Sequence, residues 1–363
     1  MFDGTVFADQ AYGGVSRYLV ELARNIVLDG RMAATVHAPF YVSKYLDDLR
    51  AKGVQVQGRR LPVFRGTSLI ARNLNRLQRV DQKYDVFHSS WYPERRPCAR
   101  EKILAISVYD MIAELFPGEV SNAKSQSFEK KTALNLADVI FAISETTKKD
   151  LIEIAGVEAE KIVVTPLATS IFEIPVDRES NKSGVPYILY VGRRAGYKNF
   201  SSLLEAFTSS TMINSEFQLV CFGGENFSRD ETERLRKLPA KGPGSVIRIS
   251  GNDVSLAQRY AEAALFVCPS KYEGFGIPLL EAMACGCPVV STRAGSLQEV
   301  GGNAPFYAPD PTPEALKFAM ESILFDRSAL DRGTEAGLRQ ARQFSWRTTA
   351  EKTVDTYLRH IRI

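Results

Sequence analysis

The stretch LFVCPSKYEGFGIPLLEAMACGCPVVS (265–291) carries one complete α/β repeat. LFVC is a short, wholly apolar run of the kind that forms a buried strand. KYEGFG follows with two glycines around one aromatic and reads as a loop. Pro278 suits the first helical position, where a missing N–H costs nothing. The helix runs on through LLEAMAC. Gly286 suits the position just past its end, and Pro288 bars continuation. PVVS then opens the next strand, so the unit is a strand, a glycine loop, a short helix and a second strand.

Such a loop lies at the carboxyl end of a parallel strand, where open α/β sheets bind ligands. The free N–H groups near Phe275, Gly276 and Ile277 favour an anion such as phosphate. Glu273 falls in the loop and Glu281 in the first helical turn, roughly 10 Å apart at helical rise. A retaining glycosidase pair stands closer, at about 5 Å. Beside a pyrophosphate, carboxylates make sense as acceptors of hydroxyl hydrogen bonds from a sugar or a ribose. Taken singly, Glu281 reads as a solvated helix glutamate and Glu273 as a loop charge. The glycine loop, the proline and the strand context favour the binding role.

The same alternation runs along the whole chain. Further strands are expected at 34–39, 85–89, 102–110, 139–144, 162–167, 187–192 and 217–224, with MFDGTVF as a first strand. Amphipathic helices are expected at 15–29, 144–156 and 200–210, and a last one begins after Ser345 as its cap. Apolar strands alternating with helices argue for buried parallel sheets. The polar seam VDRESNKSG after TPLATSIFEIP divides the 363 residues into two Rossmann-like halves.

A net charge of +4 does not call for nucleic acid. Between Arg59 and Arg100 the basic residues are Arg59, Arg60, Arg65, Arg72, Arg76, Arg79, Lys83, Arg95, Arg96 and Arg100, against only Asp81, Asp85 and Glu94. This is either a solvated face or a surface for anionic lipid or phosphate. The five cysteines lack CxxC spacing and read as buried thiols of a reducing compartment. No signal peptide or membrane span is visible, so the expectation is a cytoplasmic protein, peripheral at most to the inner face of the membrane. Three scattered histidines make a poor zinc set, and no metal site is expected. A dehydrogenase is disfavoured because no GxGxxG with a following acidic residue is present.

YILYVGRRAGYKNF (187–200) sets Gly192, Arg193, Arg194 and Lys198 just after a strand. Fixed cations there suit a diphosphate leaving group. The alternative is a basic loop, and Arg194 in particular reads as ambiguous, with simple solvation open to it. Gly13 and Gly14 precede a helix but do not form GxGxxG. Asp110 is either a helix cap before MIAELF or a group that orients or deprotonates an acceptor hydroxyl. His88 is either cleft-facing or a satisfied structural histidine. Trp91 and Tyr92 offer aromatic faces for a sugar, or core.

SKYEGFGIPLLEAMACGCPVV resembles the E-x7-E signature of family 4 retaining glycosyltransferases. AYGGVSRYLVELA, DVFHS, VYDMIAELFP, AISETTKKDL, VGRRAGYKNF and the FSW tail follow in that family's order, so the resemblance covers nearly the whole chain. It implies the GT-B fold, with two Rossmann-like domains facing a cleft. These would be an acceptor-side domain at 1–170, a nucleotide-sugar domain at 171–343 and a helix at 344–363 that crosses back to the first domain. It implies that Arg193 and Lys198 bind the donor diphosphate, with Gly13 and Gly14 facing the phosphates. Glu273, with Gly274, Phe275, Gly276 and Ile277, would hold the donor sugar, and Glu281 the ribose. Many relatives carry a histidine at the position of Tyr109; here Tyr109 or Asp110 fills the space, with His88, Trp91 and Tyr109 as acceptor-side candidates. The implied reaction is hexose transfer by same-face displacement without a metal cofactor. The donor is GDP-mannose by similarity to mannosyltransferases, with a UDP-sugar such as UDP-glucose as alternative. The acceptor is a lipid-linked or polysaccharide glycan. An inactive nucleotide-binding homologue is the remaining reading.

Overall fold

The alternating pattern becomes two parallel sheets in the computed structural model, which describes residues 1–10, 13–64, 66–76, 83–96, 102–176, 184–194 and 196–361. The chain divides into two units. The first comprises Met1–Pro117, Ser121–Leu167 and Ser345–Ile363, and the second comprises Gly118–Val120 and Ala168–Phe344. The division thus follows Leu167 rather than residue 170, and the short segment at 118–120, which carries no sequence signal, groups with the second unit.

The first unit holds strands β1 (Phe2–Asp3), β2 (Thr35–Tyr41), β3 (Gln55–Arg60), β4 (Val86–Ser89), β5 (Ile103–Val108), β6 (Val139–Ala142) and β7 (Ile162–Val164). Their spatial order is β3-β2-β1-β4-β5-β6-β7, and every pairing is parallel. The chain therefore winds outward from β1 in one direction and resumes at β4 in the other. The β1/β4 junction is the topological switch point of this sheet. Central strands β4, β5 and β6 are buried along their whole length, as their apolar runs require. Edge strand β3 reads QVQGRR and is mostly exposed, so no apolar run announces it. The expected first strand MFDGTVF is cut short: it ends at Asp3, and Thr5–Asp9 forms a helix.

The helix Gly14–Asp29 buries Tyr18, Leu19, Leu22, Ala23 and Ile26 at three- and four-residue spacing and stops at left-handed Gly30. The helix Trp346–Ile361 belongs to this unit and packs against it. The helix Glu145–Ala155 starts where Ser144 Oγ accepts the Thr147 N–H and ends at Gly156.

The second unit holds β8 (Tyr187–Val191), β9 (Gln218–Phe222), β10 (Val246–Ile249), β11 (Leu265–Cys268), β12 (Val289–Ser291) and β13 (Phe306–Tyr307), in the order β10-β9-β8-β11-β12-β13, all parallel. Its switch point lies between β8 and β11. The core on one side gathers Phe200, Leu203, Phe207, Leu219, Val267, Leu316 and Met320. Cys221, Cys268, Cys285 and Cys287 are buried thiols, and burial pushes the pKa of Cys221 and Cys268 up to about 12. Cys98 lies outside the described residues.

Candidate active site

The loops that leave β8 and β11 meet at the switch point of the second unit. Gly192 takes φ +124° after β8, and the Tyr190 hydroxyl donates to the Arg193 carbonyl. Asn199, at φ 57°, opens the helix Phe200–Ser209. Its Nδ2 donates to the Pro269 carbonyl at 3.0 Å and to the Pro311 carbonyl at 2.7 Å. The Lys271 N–H donates to the Tyr197 carbonyl at 2.7 Å. These bonds lace the two loops together.

Across that junction Lys198 Nζ lies 2.7 Å from Glu273 Oε1 and 2.8 Å from Oε2. Ser270 Oγ donates to the same Oε1 at 2.7 Å. Glu273 is only 7% exposed, so the loop-charge alternative does not hold. Burial works against the Lys198 ammonium, but the Glu273 carboxylate outweighs it and holds the lysine above its ordinary pKa. A second loop braces Glu273 from behind. The Ser296 N–H and Oγ donate to its carbonyl at 3.0 and 2.9 Å, and Thr292 Oγ1 donates to the Ser270 carbonyl at 2.6 Å. Gly295, at φ +60°, leaves no room: a Cβ there would come within 2.5 Å of the Glu273 carbonyl oxygen.

The helix Ile277–Ala284 starts at left-handed Gly276, with Pro278 one residue inside its first position. Among the described residues the main-chain N–H groups of Phe275, Gly276 and Ile277 have no protein acceptor. Such N–H groups at a helix start are of the kind that can receive an anion. Glu281 is displaced from the expected first turn to the second, because the helix begins at Ile277, one residue ahead of the expected Pro278. It is 4% exposed and accepts the Tyr260 hydroxyl at 3.3 Å, so it is not a solvated helix glutamate.

Arg193 is exposed, and its guanidinium has no protein partner among the described residues. Of the two readings left open for Arg194, simple solvation does not hold. It is 4% exposed, its Nε donates to Glu231 at 3.2 Å, and its Nη2 donates to the Glu225 carbonyl. The guanidinium lies 4.7 Å from the Phe227 ring centre and 5.8 Å from that of Phe200. Glu231 also completes a capping box with Ser228. Arg194 thus ties the loop after β8 to the segment after β9.

In the first unit the expected residues fall into separate settings. His88 is not a cleft residue: it is 1% exposed and stacked between Phe2 and Phe141. Its Nδ1 meets the Tyr357 hydroxyl and its Nε2 lies 2.8 Å from Ser107 Oγ. Burial, and then the charge of the chain's amino terminus, pulls its pKa down to about 3. Trp91 and Tyr109 are brought together as stacked rings 6.5 Å apart. The Tyr109 hydroxyl is buried without a protein partner among the described residues, and burial pushes its pKa well up. Asp110 Oδ1 accepts the Ile112 N–H at 3.0 Å, two residues on, while Met111 holds the cap position of the helix Ile112–Leu115, so Asp110 is not the expected helix cap. Gly13 is extended at φ 177°, and its carbonyl accepts Ser16 Oγ at 3.0 Å. Gly14 begins the helix. A Cβ on Gly13 would lie 2.1 Å from Gln10 Oε1, so a larger residue there would have to displace the Gln10 side chain.

Sequence reasoning missed Ser270, Thr292, Gly295 and Ser296, which position Glu273. It also missed Asp3, whose carboxylate bridges the switch point of the first sheet. Asp3 Oδ2 accepts Ser89 Oγ at 2.6 Å and the Ser90 N–H at 3.2 Å, while Oδ1 accepts Ser90 Oγ and, at 2.8 Å, the Thr5 N–H. Of the basic stretch 59–100, Arg96 is held by Asp138 at 2.6 Å, Arg60 by Asp47 at 2.6 Å and Arg72 by Asp9 at 3.3 Å. Arg65, Arg79, Arg100 and the Arg76 side chain lie outside the described residues. Among the described residues no group of three His, Cys, Asp or Glu side chains could hold a metal ion. No helix of the described residues is long and apolar enough to cross a membrane.

Two family models match the chain. "Glycosyltransferase Family 4" covers residues 12–170, and "Glycosyl transferases group 1" covers residues 173–340. The O-antigen chain mannosyltransferase B of Escherichia coli is 34% identical over 237 residues, 62% of this chain and 61% of that protein. The MMP alpha-(1->4)-mannosyltransferase of Mycolicibacterium hassiacum is 30% identical over 63% of this chain and 56% of its own length. The matched chain thus spans about three fifths of these relatives. Among solved structures, Anabaena HepE in complex with UDP and glucose superposes with a TM-score of 0.74 at 17% identity, covering 98% of both chains.

Proposed function

The chain belongs to the family 4 glycosyltransferases of GT-B fold, and from that premise we propose that it is a retaining hexosyltransferase that moves mannose from GDP-mannose to a lipid-linked or polysaccharide glycan acceptor in surface glycan biosynthesis. The observation that carries this reading is the Lys198–Glu273 pair beside three unsatisfied N–H groups. It puts a cation and an anion site next to a carboxylate that can accept sugar hydroxyls.

In this reading the donor diphosphate lies against Lys198, Arg193 and the N–H groups of Phe275, Gly276 and Ile277. Glu273 turns one oxygen to the hexose hydroxyls, and Glu281 accepts from the ribose. The bond from the anomeric carbon to the diphosphate oxygen breaks, and its electron pair stays on that oxygen. Fixed cations and N–H dipoles stabilise the developing charge, so no metal is required. The acceptor hydroxyl attacks from the same face, and its proton passes to the departing phosphate oxygen. Acceptor recognition falls to the first unit, with Trp91 and Tyr109 as its aromatic wall. Asp110 carries less of this role, because its carboxylate already accepts the Ile112 N–H.

Mannose is favoured because both mannosyltransferases named above align at 30% identity or more. The second reading, a UDP-sugar donor, takes its support from the UDP and glucose bound in the HepE structure. Thermal shift and hydrolysis with a panel of GDP- and UDP-hexoses test both. Stabilisation and turnover by GDP-mannose alone fit the first reading. UDP-glucose alone fits the second, and binding without turnover by any donor fits an inactive homologue.

A further inference from the structure

The helix Ala123–Leu136 of the first unit is sided the wrong way for a helix held by apolar contact alone. On it Phe128 is 72% exposed, while Lys130 is only 3% exposed. Lys130 falls in with Ala123, Ala133 and Leu134, at the three-, four- and seven-residue spacing of the buried face. Lys124 and Lys131 of the same helix are exposed, as lysines ordinarily are. Taking an ammonium out of water at such a position is costly, and a methionine or leucine would pack there without that cost. The lysine is therefore explained by what it holds.

Its ammonium has an acceptor for each of its three N–H donors. Nζ donates to the Asp110 carbonyl at 2.8 Å and to Glu114 Oε2 at 2.7 Å, and it lies 3.7 Å from Met111 Sδ. All three acceptors belong to the segment that leaves β5. The same ammonium lies 5.7 Å from the centre of the Tyr92 ring, in the segment that leaves β4. Two loops from neighbouring strands are thus fastened to one buried charge. Each loop carries one half of an aromatic wall. Trp91 precedes Tyr92 and packs on it with ring centres 5.1 Å apart. Tyr109 precedes Asp110 and stacks on Trp91 at 6.5 Å, with the ring planes 19° apart. Trp91 also lines a cavity of about 670 Å³ at the switch point of the first sheet, together with Asp3, His37, Asn75 and Ser89. A chain of contacts runs from Lys130 through Tyr92 and Asp110 to the ring that lines this cavity.

We propose that Lys130 is a positioning residue for the acceptor: its ammonium sets the loops after β4 and β5 so that Trp91 and Tyr109 present one aromatic surface to a sugar ring. Lys130 itself touches no substrate. The inference deepens the transferase reading and rests on it for the identity of the ligand.

The test compares wild type, Lys130→Met, and Lys130→Met combined with Glu114→Leu. The single variant leaves the Glu114 carboxylate without its cation and should lower Tm by about 10 °C. The double variant removes both charges and should recover most of that loss. Its KM for octyl α-mannoside as acceptor probe, with GDP-mannose as donor, should still stay at least tenfold above wild type. Its kcat, its donor KM and its hydrolysis of the donor by water should stay within about twofold. A lysine that only supports the fold predicts that acceptor KM recovers together with Tm, and that result overturns the proposal. A donor KM that rises as much as the acceptor KM overturns it too. A second readout needs no turnover. In a Trp346→Phe background Trp91 is the only tryptophan, and its emission reports the stack. Emission should move to the red in the double variant as the stack opens, and an unchanged spectrum overturns the proposal. Should wild type transfer to no glycan, it is the transferase reading that fails, and the Trp91 spectrum still decides whether Lys130 sets the wall.

Discussion

Lys198 and Glu273, which are 75 residues apart in sequence, form a two-pronged ion pair across the switch point of the second sheet, with both carboxylate oxygens within 2.8 Å of one ammonium. Removing either partner leaves the other charge largely buried and unpaired. Lys198→Met and Glu273→Gln should each lower stability by about 3 kcal/mol, and the double variant by clearly less than the sum. Each single variant should also lose at least a hundredfold in transfer. Urea unfolding of the four proteins checks the coupling, and strict additivity would contradict it. The raised Lys198 pKa fixes the sign of the pH effect: the pair contributes fully below the lysine's unfolded value of about 10.4 and is lost only as pH rises beyond it. No alkaline loss of donor binding from this group is therefore expected up to pH of about 9.

His88 gives the opposite sign. Its folded pKa of about 3 lies below its ordinary 6.5, so on acidification the unfolded chain takes up a proton that the folded one refuses. Stability should fall as pH drops below 6.5, with a slope approaching about 1.4 kcal/mol per pH unit. Denaturant midpoints between pH 7.5 and 4.5 should show this slope in wild type and lose much of it in His88→Gln. An equal slope in both proteins would mean that other groups carry it. The pH profile of transfer should not change in that variant.

Gly295→Ala should disturb the site through the backbone. The substitution adds left-handed strain and a clash 2.5 Å from the Glu273 carbonyl. Gly30→Ala, whose Cβ would meet nothing, costs only the strain, about 1 kcal/mol. Gly295→Ala should cost more than that and also raise the donor KM, whereas Gly30→Ala leaves KM alone. Equal stability losses with equal KM values would remove Gly295 from the supporting loop.

Arg194→Leu keeps apolar contact with Phe227 but leaves Glu231 and the Glu225 carbonyl without their donor. A loss of about 2 kcal/mol is expected. The donor KM should rise more than kcat falls, because Arg194 holds the loop that carries Arg193 and does not itself reach the anion site. Arg194→Lys should restore little, since an ammonium lacks the planar fork that sets Nε on Glu231 and Nη2 on the Glu225 carbonyl at once. Unfolding and initial-rate measurements check both parts, and full rescue by lysine would contradict the tethering role.

The sheets were legible in the sequence wherever strands are buried on both faces. ILAISV, VIFA and LFVC announce themselves because no water-facing side interrupts the run. QVQGRR was not legible: as an edge strand it keeps polar side chains outward, and nothing in its composition distinguishes it from a loop. The glycine loop that carries Glu273 and the short helix after it followed from glycine and proline chemistry. What could not be read was pairing at a distance. Nothing local says that Arg194 turns inward to Glu231, that His88 turns to Tyr357 on the last helix, or that Thr292, Gly295 and Ser296 brace Glu273. Each depends on which loops the switch points bring together. The second glutamate was misplaced by a turn because the helix starts one residue ahead of Pro278, at Ile277, which carries Glu281 into the second turn.

The central claim is retaining transfer from a nucleotide sugar held by Lys198 and Glu273. Proton NMR of GDP-mannose turnover by wild type and Glu273→Gln tests it most directly, by following the anomeric signals before mutarotation. The account predicts that the α-anomer appears first with wild type and that Glu273→Gln slows its appearance at least a hundredfold. A β-anomer as the first product, or equal rates in the two proteins, would contradict it.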